Sequence, residues 1–79
     1  MTDEKRQLLV EISGGLNPKF DIGQEKWNPK GRRLCTIVDI KWAEAFGFVY
    51  VVERGLDRWE VLEENLVEPS SALKMRLAV

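Results

Sequence analysis

One cysteine and no histidine in 79 residues leave this chain without an internal covalent or metal staple. Cys35 has no second thiol to pair with, so an intramolecular disulfide is excluded. A zinc site needs several cysteine or histidine ligands at close spacing, and one thiol cannot supply them. Side-chain packing must therefore hold the fold, at a length where one core rarely yields more than about 3–5 kcal/mol of net stability. Two solutions stay open: a well-packed small domain, or self-association. Splitting the chain would leave pieces too small to hold a core, so residues 1–79 are expected to form one domain. A hydrophobic fraction of 44% beside 32% charged residues suits a folded, water-soluble chain and is too apolar for a disordered one.

The same cysteine count bears on location. A lone thiol in a strand-like stretch suits a reducing compartment. The start, MTDEKRQLLVEI, is acid-rich with only a short apolar run, unlike a signal peptide. No run approaches the ~20 apolar residues that cross a bilayer. The expectation is a cytoplasmic protein that does not engage a membrane. A formal net charge of −1 and a pI near 5.4 argue against a dedicated nucleic-acid binder, which needs a basic excess to neutralise phosphates. A local basic patch is still compatible with that balance.

Along the chain, Thr2 can cap a short helix, with Asp3 and Glu4 in a first turn that favours acids. Leu8, Leu9 and Ile12 would then share a face. The stretch also reads as a strand, with Leu8, Val10 and Ile12 alternating. Gly14 and Gly15 end either form, and Asn17-Pro18 marks a turn. Phe20 and Ile22 alternate with polar neighbours before Gly23, and a polar loop runs through Asn28-Pro29-Lys30-Gly31. The strongest strand spans Arg33 to Trp42. Leu34, Thr36, Val38, Ile40 and Trp42 fall on one face, expected to be the core face, and Cys35, Ile37, Asp39 and Lys41 on the other.

After a connection over Ala43–Gly47, Phe48–Glu53 forms a strand with Phe48, Tyr50 and Val52 on one face and Val49 and Val51 on the other. Apolar residues on both faces suggest burial from two sides or contact with a partner. Gly55–Asp57 is a hairpin-like turn, and Trp59, Val61 and Leu62 continue as a short strand. Glu63-Glu64-Asn65 fits one tight helical turn. Leu66 and Val67 make a last short strand, stopped by Pro69. In the tail, residues 69–79, Leu73, Met75 and Leu77 alternate with Lys74 and Arg76, which suits an added strand, a helical turn or a loose end.

The expected class is mainly β: a small five-stranded barrel or rolled sheet over about residues 20–68, with a helix or strand extension over 1–19. Leu34, Val38, Ile40, Tyr50, Val52 and Leu66 are its expected core. The order of features resembles the Src-homology-3-like small barrels, including the Tudor and KOW-type modules. Phe20-Asp21-Ile22-Gly23-Gln24 matches their opening strand, LCTIVDI their long strand and Tyr50-Val51-Val52 their third. Glu63-Glu64-Asn65-Leu66-Val67 matches their tight turn and leucine-led last strand. The opening departs from the usual Gly-Asp at Gly23-Gln24, and the glycine before the second strand is displaced to Gly31. The resemblance implies a fold and no single activity, because this barrel hosts many. The small plasmid-borne dihydrofolate reductase shares the length, but Trp59-Glu60-Val61-Leu62 lacks the Gln and Tyr of its Val-Gln-Ile-Tyr signature. That activity is not carried over.

Catalysis is hard to build from these residues. No histidine can act as general base, Cys35 lies mid-strand with no histidine partner, and there is no P-loop or dinucleotide fingerprint. No cofactor is expected. The candidates are for binding. Trp27 among Lys26, Lys30, Arg32 and Arg33 could stack on a base while the cations meet phosphates, although a solvated loop explains them as well. Residues 19–33 carry a net +3 and residues 53–68 a net −4, a segregation that can steer a complementary partner or a second copy. Val49 and Val51 add apolar surface beyond what one interior needs, a mark of an interface when contiguous. The leading reading is a non-catalytic module that binds protein, including itself. A nucleic-acid-binding barrel using the Lys26–Arg33 loop comes second. An enzyme with a site formed between subunits comes third.

Overall fold

The structure, a computed structural model, describes residues 1–69; the readings of the tail beyond them fall outside the described residues. Helix α1 spans Asp3–Ile12, so the helical alternative holds at the N-terminus. Thr2 caps it, its hydroxyl oxygen accepting from the Lys5 N–H at 3.3 Å, with Asp3 and Glu4 in the first turn. Leu9 alone of its apolar residues is buried, while Leu8 and Ile12 remain exposed. Lys5 and Arg6 pair with Asp39 and Asp21, so ionic contacts fix the helix as well as its single apolar anchor.

Four antiparallel strands follow in a sheet of order β1-β2-β3-β4: β1 Glu25–Asn28, β2 Arg33–Ala43, β3 Gly47–Arg54 and β4 Asp57–Leu62. Phe20–Ile22, read as an opening strand, forms bends and a turn, although Phe20 is buried. β3 and β4 close over Gly55-Leu56, with Arg54 opposite Asp57. Gly55 has φ +61°, as the first residue of a type II′ hairpin turn requires, and that backbone strains any side chain. A 3-10 turn over Glu63–Asn65 then reverses the chain. Val67 reaches β1 as an isolated bridge in place of the expected fifth strand, exchanging backbone hydrogen bonds with Trp27 at 2.8 and 2.9 Å.

The core contains Leu9, Phe20, Cys35, Ile37, Ile40, Phe48, Tyr50, Val52 and Leu66. Of the expected set, Ile40, Tyr50, Val52 and Leu66 are buried, but Leu34 and Val38 are only half-buried. The expected core face of β2 is thus correct for its second half and wrong for its first, where Cys35 and Ile37 point inward. The cause is a register shift: Ile37 pairs with Val52 and Asp39 with Val51, leaving Val38 as an extra residue. A β-bulge of this kind adds one residue to one strand and reverses its inside-outside phase from there on.

Candidate functional site

The bulge decides what the outer face of the sheet displays. Cross-strand register places Trp27 beside Leu34, Glu53 between Thr36 and Arg58, Val51 between Asp39 and Glu60, and Val49 between Lys41 and Leu62. Two shallow depressions of about 420 and 510 Å³ meet at Val38. The first has Leu34 and Thr36 in its wall and Glu25, Glu53 and Arg54 around it. The second has Val51 beneath Asp39, Lys41, Arg58 and Glu60. Val51 is buried to 7% exposure and Val49 is half-buried. The apolar surplus expected at these two valines is thus smaller than alternation alone implies, since Val51 is buried and Val49 half-buried.

Two of the rim pairs run across strands, Lys41 with Glu60 at 2.7 Å and Arg58 with Glu53. Lys5 reaches Asp39 from α1; its hydrogen bond is the main cause holding the Asp39 carboxyl below its ordinary value, against partial burial and with help from the Ile40 N–H. The two depressions thus set Val38 and Val51 among charges of both signs.

The basic segment does not act as one patch. Lys26 turns inward to 5% exposure, where its ammonium lies 4.7 Å from the Phe20 ring centroid and pairs with Glu68. Trp27 is half-buried within β1, not in the loop as expected, because its backbone is paired on both sides. Arg33 lays its guanidinium 3.9 Å from the Trp59 ring centroid and bonds Asp57 at 3.1 Å. Lys30 and Arg32 are exposed and have no ion pair among the described residues. Arg32 adopts φ +53°, a left-handed conformation that costs an L-residue about 1–2 kcal/mol. A cleft of about 340 Å³ is lined by Asn28, Lys30, Arg33, Trp59, Val61 and Asn65, with the Arg33–Trp59 stack in its wall. The charge segregation read along the sequence is thus partly consumed inside the molecule, through Lys26–Glu68 and Arg33–Asp57.

Two residues have roles that the strand pattern did not give. Val38, assigned to the core, instead joins the two outer depressions. Trp59, read as part of a short strand, is the platform for Arg33. Their separation of 26 positions leaves no local signal for that stacking. Among the described residues, no three acidic or thiol side chains cluster as a metal site requires. No described helix is long and apolar enough to cross a membrane.

Cys35 is 2% exposed and its thiol faces the Lys26 carbonyl oxygen at 3.5 Å. Burial pushes its pKa up, outweighing the nearby Arg33 and Arg54. The thiolate is the reactive form, so a thiol reagent is expected to label Cys35 far more slowly in the folded protein than in denaturant. Equal rates in both would refute a structural thiol.

Comparison with family models finds no match for this chain, and comparisons with curated proteins and with solved structures find none.

Proposed function

We propose that this chain is a non-catalytic interaction module that binds protein through the outer face of its sheet. The reading is carried by the meeting of the two depressions at Val38, which sets Val38 and Val51 among charges of both signs, the pairs Lys41–Glu60 and Arg58–Glu53 included. Nucleic acid is the weaker partner. Glu25, Asp39, Glu53 and Glu60 border the same face, and acids repel phosphate. The basic loop retains only Lys30 and Arg32 outside internal ion pairs among the described residues. Among the described residues, no cluster of three metal-ligating side chains supports an enzyme completed between subunits. A Src-homology-3-like barrel fits the strand order, the 3-10 turn and the return of Val67 to Trp27, and we take that as the fold type.

The test uses phage-displayed peptides selected on the full chain, each then measured on a Val38→Arg variant. Selected peptides are expected to lose about tenfold or more in affinity on that variant, since a charge in a desolvated centre opposes binding. The substitution sits on a half-buried position and is expected to cost less than about 1 kcal/mol of stability. Selected peptides indifferent to Val38 would overturn the outer-face reading. A labelled oligonucleotide that binds tightly, weakens steeply with salt and is lost on Lys30→Ala with Arg32→Ala would establish the nucleic-acid alternative.

A further inference from the structure

We propose that β4 pairs with β4 of a second copy, antiparallel and in a single register centred on Trp59. The two-residue turn makes Arg54–Asp57 the closing pair of the hairpin, and such a pair exchanges both backbone hydrogen bonds. Val52–Trp59 and Tyr50–Val61 then do the same, which aims the N–H and C=O groups of Arg58, Glu60 and Leu62 away from β3. β4 ends the sheet order, so this edge has no strand beside it among the described residues. Unpaired edges of this kind are templates for another strand.

Charge selects the register. Placing Trp59 opposite Trp59 of the second copy sets Arg58 against Glu60 of that copy, and Glu60 against its Arg58. Both pairs fall at hydrogen-bonded positions. Opposite charges directly across an antiparallel pair stabilise it, whereas the register centred on Glu60 would oppose like charges. Leu56, at 105% relative exposure the most exposed large apolar residue described, then falls opposite Leu62 of the second copy. Arg58 and Glu60 already contact Glu53 and Lys41, but those pairs are exposed and worth little alone, so both side chains can be shared. The symmetry is that of a two-fold dimer, in which one patch meets itself. It brings both outer faces to the same side and lengthens the surface proposed for partner binding, but it does not depend on that binding.

A six-residue edge buries less than a standard interface of about 1,600 Å², so a weak dimer is expected, with a Kd of about 10–100 μM. Sedimentation of the full chain from about 10 μM to 1 mM reads it directly, with circular dichroism confirming the fold of each variant. Arg58→Glu and Glu60→Arg each place two like-charged pairs across the edge and are expected to weaken the dimer by about tenfold or more. The double exchange restores opposite charges between copies and is expected to return the affinity to within about threefold of the original. Val38→Arg should leave the dimer unchanged, which separates this proposal from the outer-face reading. A strict monomer at about 1 mM, a dimer indifferent to either single reversal, or a double exchange no better than the singles would each overturn it.

Discussion

Replacing Ile37 with alanine is expected to destabilise the protein by about 3 kcal/mol, and Ile40→Ala by a similar amount, while Val38→Ala costs less than about 1 kcal/mol. Ile37 is 0% and Ile40 2% exposed, so truncation leaves cavities that a packed interior closes only in part. Val38 is half-buried on the outer face, where solvent replaces the lost methyl groups. Urea unfolding with a shared slope measures the three changes on one scale. Unbroken alternation through β2 demands the reverse order, with Val38 inside beside Ile40 and Ile37 outside. A larger loss at Val38 than at Ile37 would therefore remove the bulge and, with it, the outer surface proposed for binding.

Tyr50→Phe is expected to cost about 2 kcal/mol, because it removes one hydroxyl that serves two buried connections. Tyr50 is 0% exposed. Its oxygen accepts from the Phe20 N–H at 3.2 Å, and its proton is donated to Glu63 Oε2 at 2.7 Å. The same carboxylate oxygen accepts from the Lys19 N–H at 3.1 Å. One phenol thus joins β3 to the segment before the sheet and to the 3-10 turn after it. Phenylalanine leaves the Phe20 N–H without an acceptor, whereas Glu63→Gln keeps a carbonyl oxygen for both donors and is expected to cost less than about 1 kcal/mol. A Tyr50→Phe loss no greater than that of Glu63→Gln would show that the hydroxyl is not the connection.

The phenol also gives a pH signature. Burial above all, with the Glu63 carboxylate nearby, raises the Tyr50 pKa well beyond its ordinary value, although the Phe20 N–H opposes the shift. A phenol that ionises more readily unfolded than folded contributes stability that is complete below about pH 10, its unfolded pKa. That contribution declines as the pH rises from there toward the folded value. The difference in stability between the protein and Tyr50→Phe should therefore narrow above about pH 10. Taking the difference cancels the lysines, which titrate in the same range.

The N-terminal segment shows what a short pattern leaves undecided. Residues 8–12 satisfy both a helical face and a strand alternation, and a few apolar residues cannot separate the two periods. The tertiary arrangement separates them: Thr2 caps the helix, Leu9 enters the core, and Lys5 and Arg6 reach Asp39 and Asp21. Lys26 is a similar case. The sequence groups it with Lys30 in one basic segment, yet one is buried against Phe20 and Glu68 and the other is exposed. A lysine goes inside only where a partner charge and an aromatic face already wait, and Glu68 is 42 positions away.

The sequence by itself determined the local items. A lone cysteine and no histidine ruled out staples, period-2 runs located β2 and β3, Gly55 set the hairpin turn, and Glu63-Glu64-Asn65 set the 3-10 turn. These depend on contacts a few residues apart or on backbone preferences written into single residues. Tertiary structure alone decided which side of β2 faces inward. Alternation fixes the spacing of side chains but not the phase, and apolar residues stand on both sides of β2, at Leu34, Val38 and Ile40 and at Cys35 and Ile37. Pairing with β3 settles the matter, because Tyr50 and Val52 face the core at fixed positions and β2 must carry one extra residue to bring both Ile37 and Ile40 opposite them.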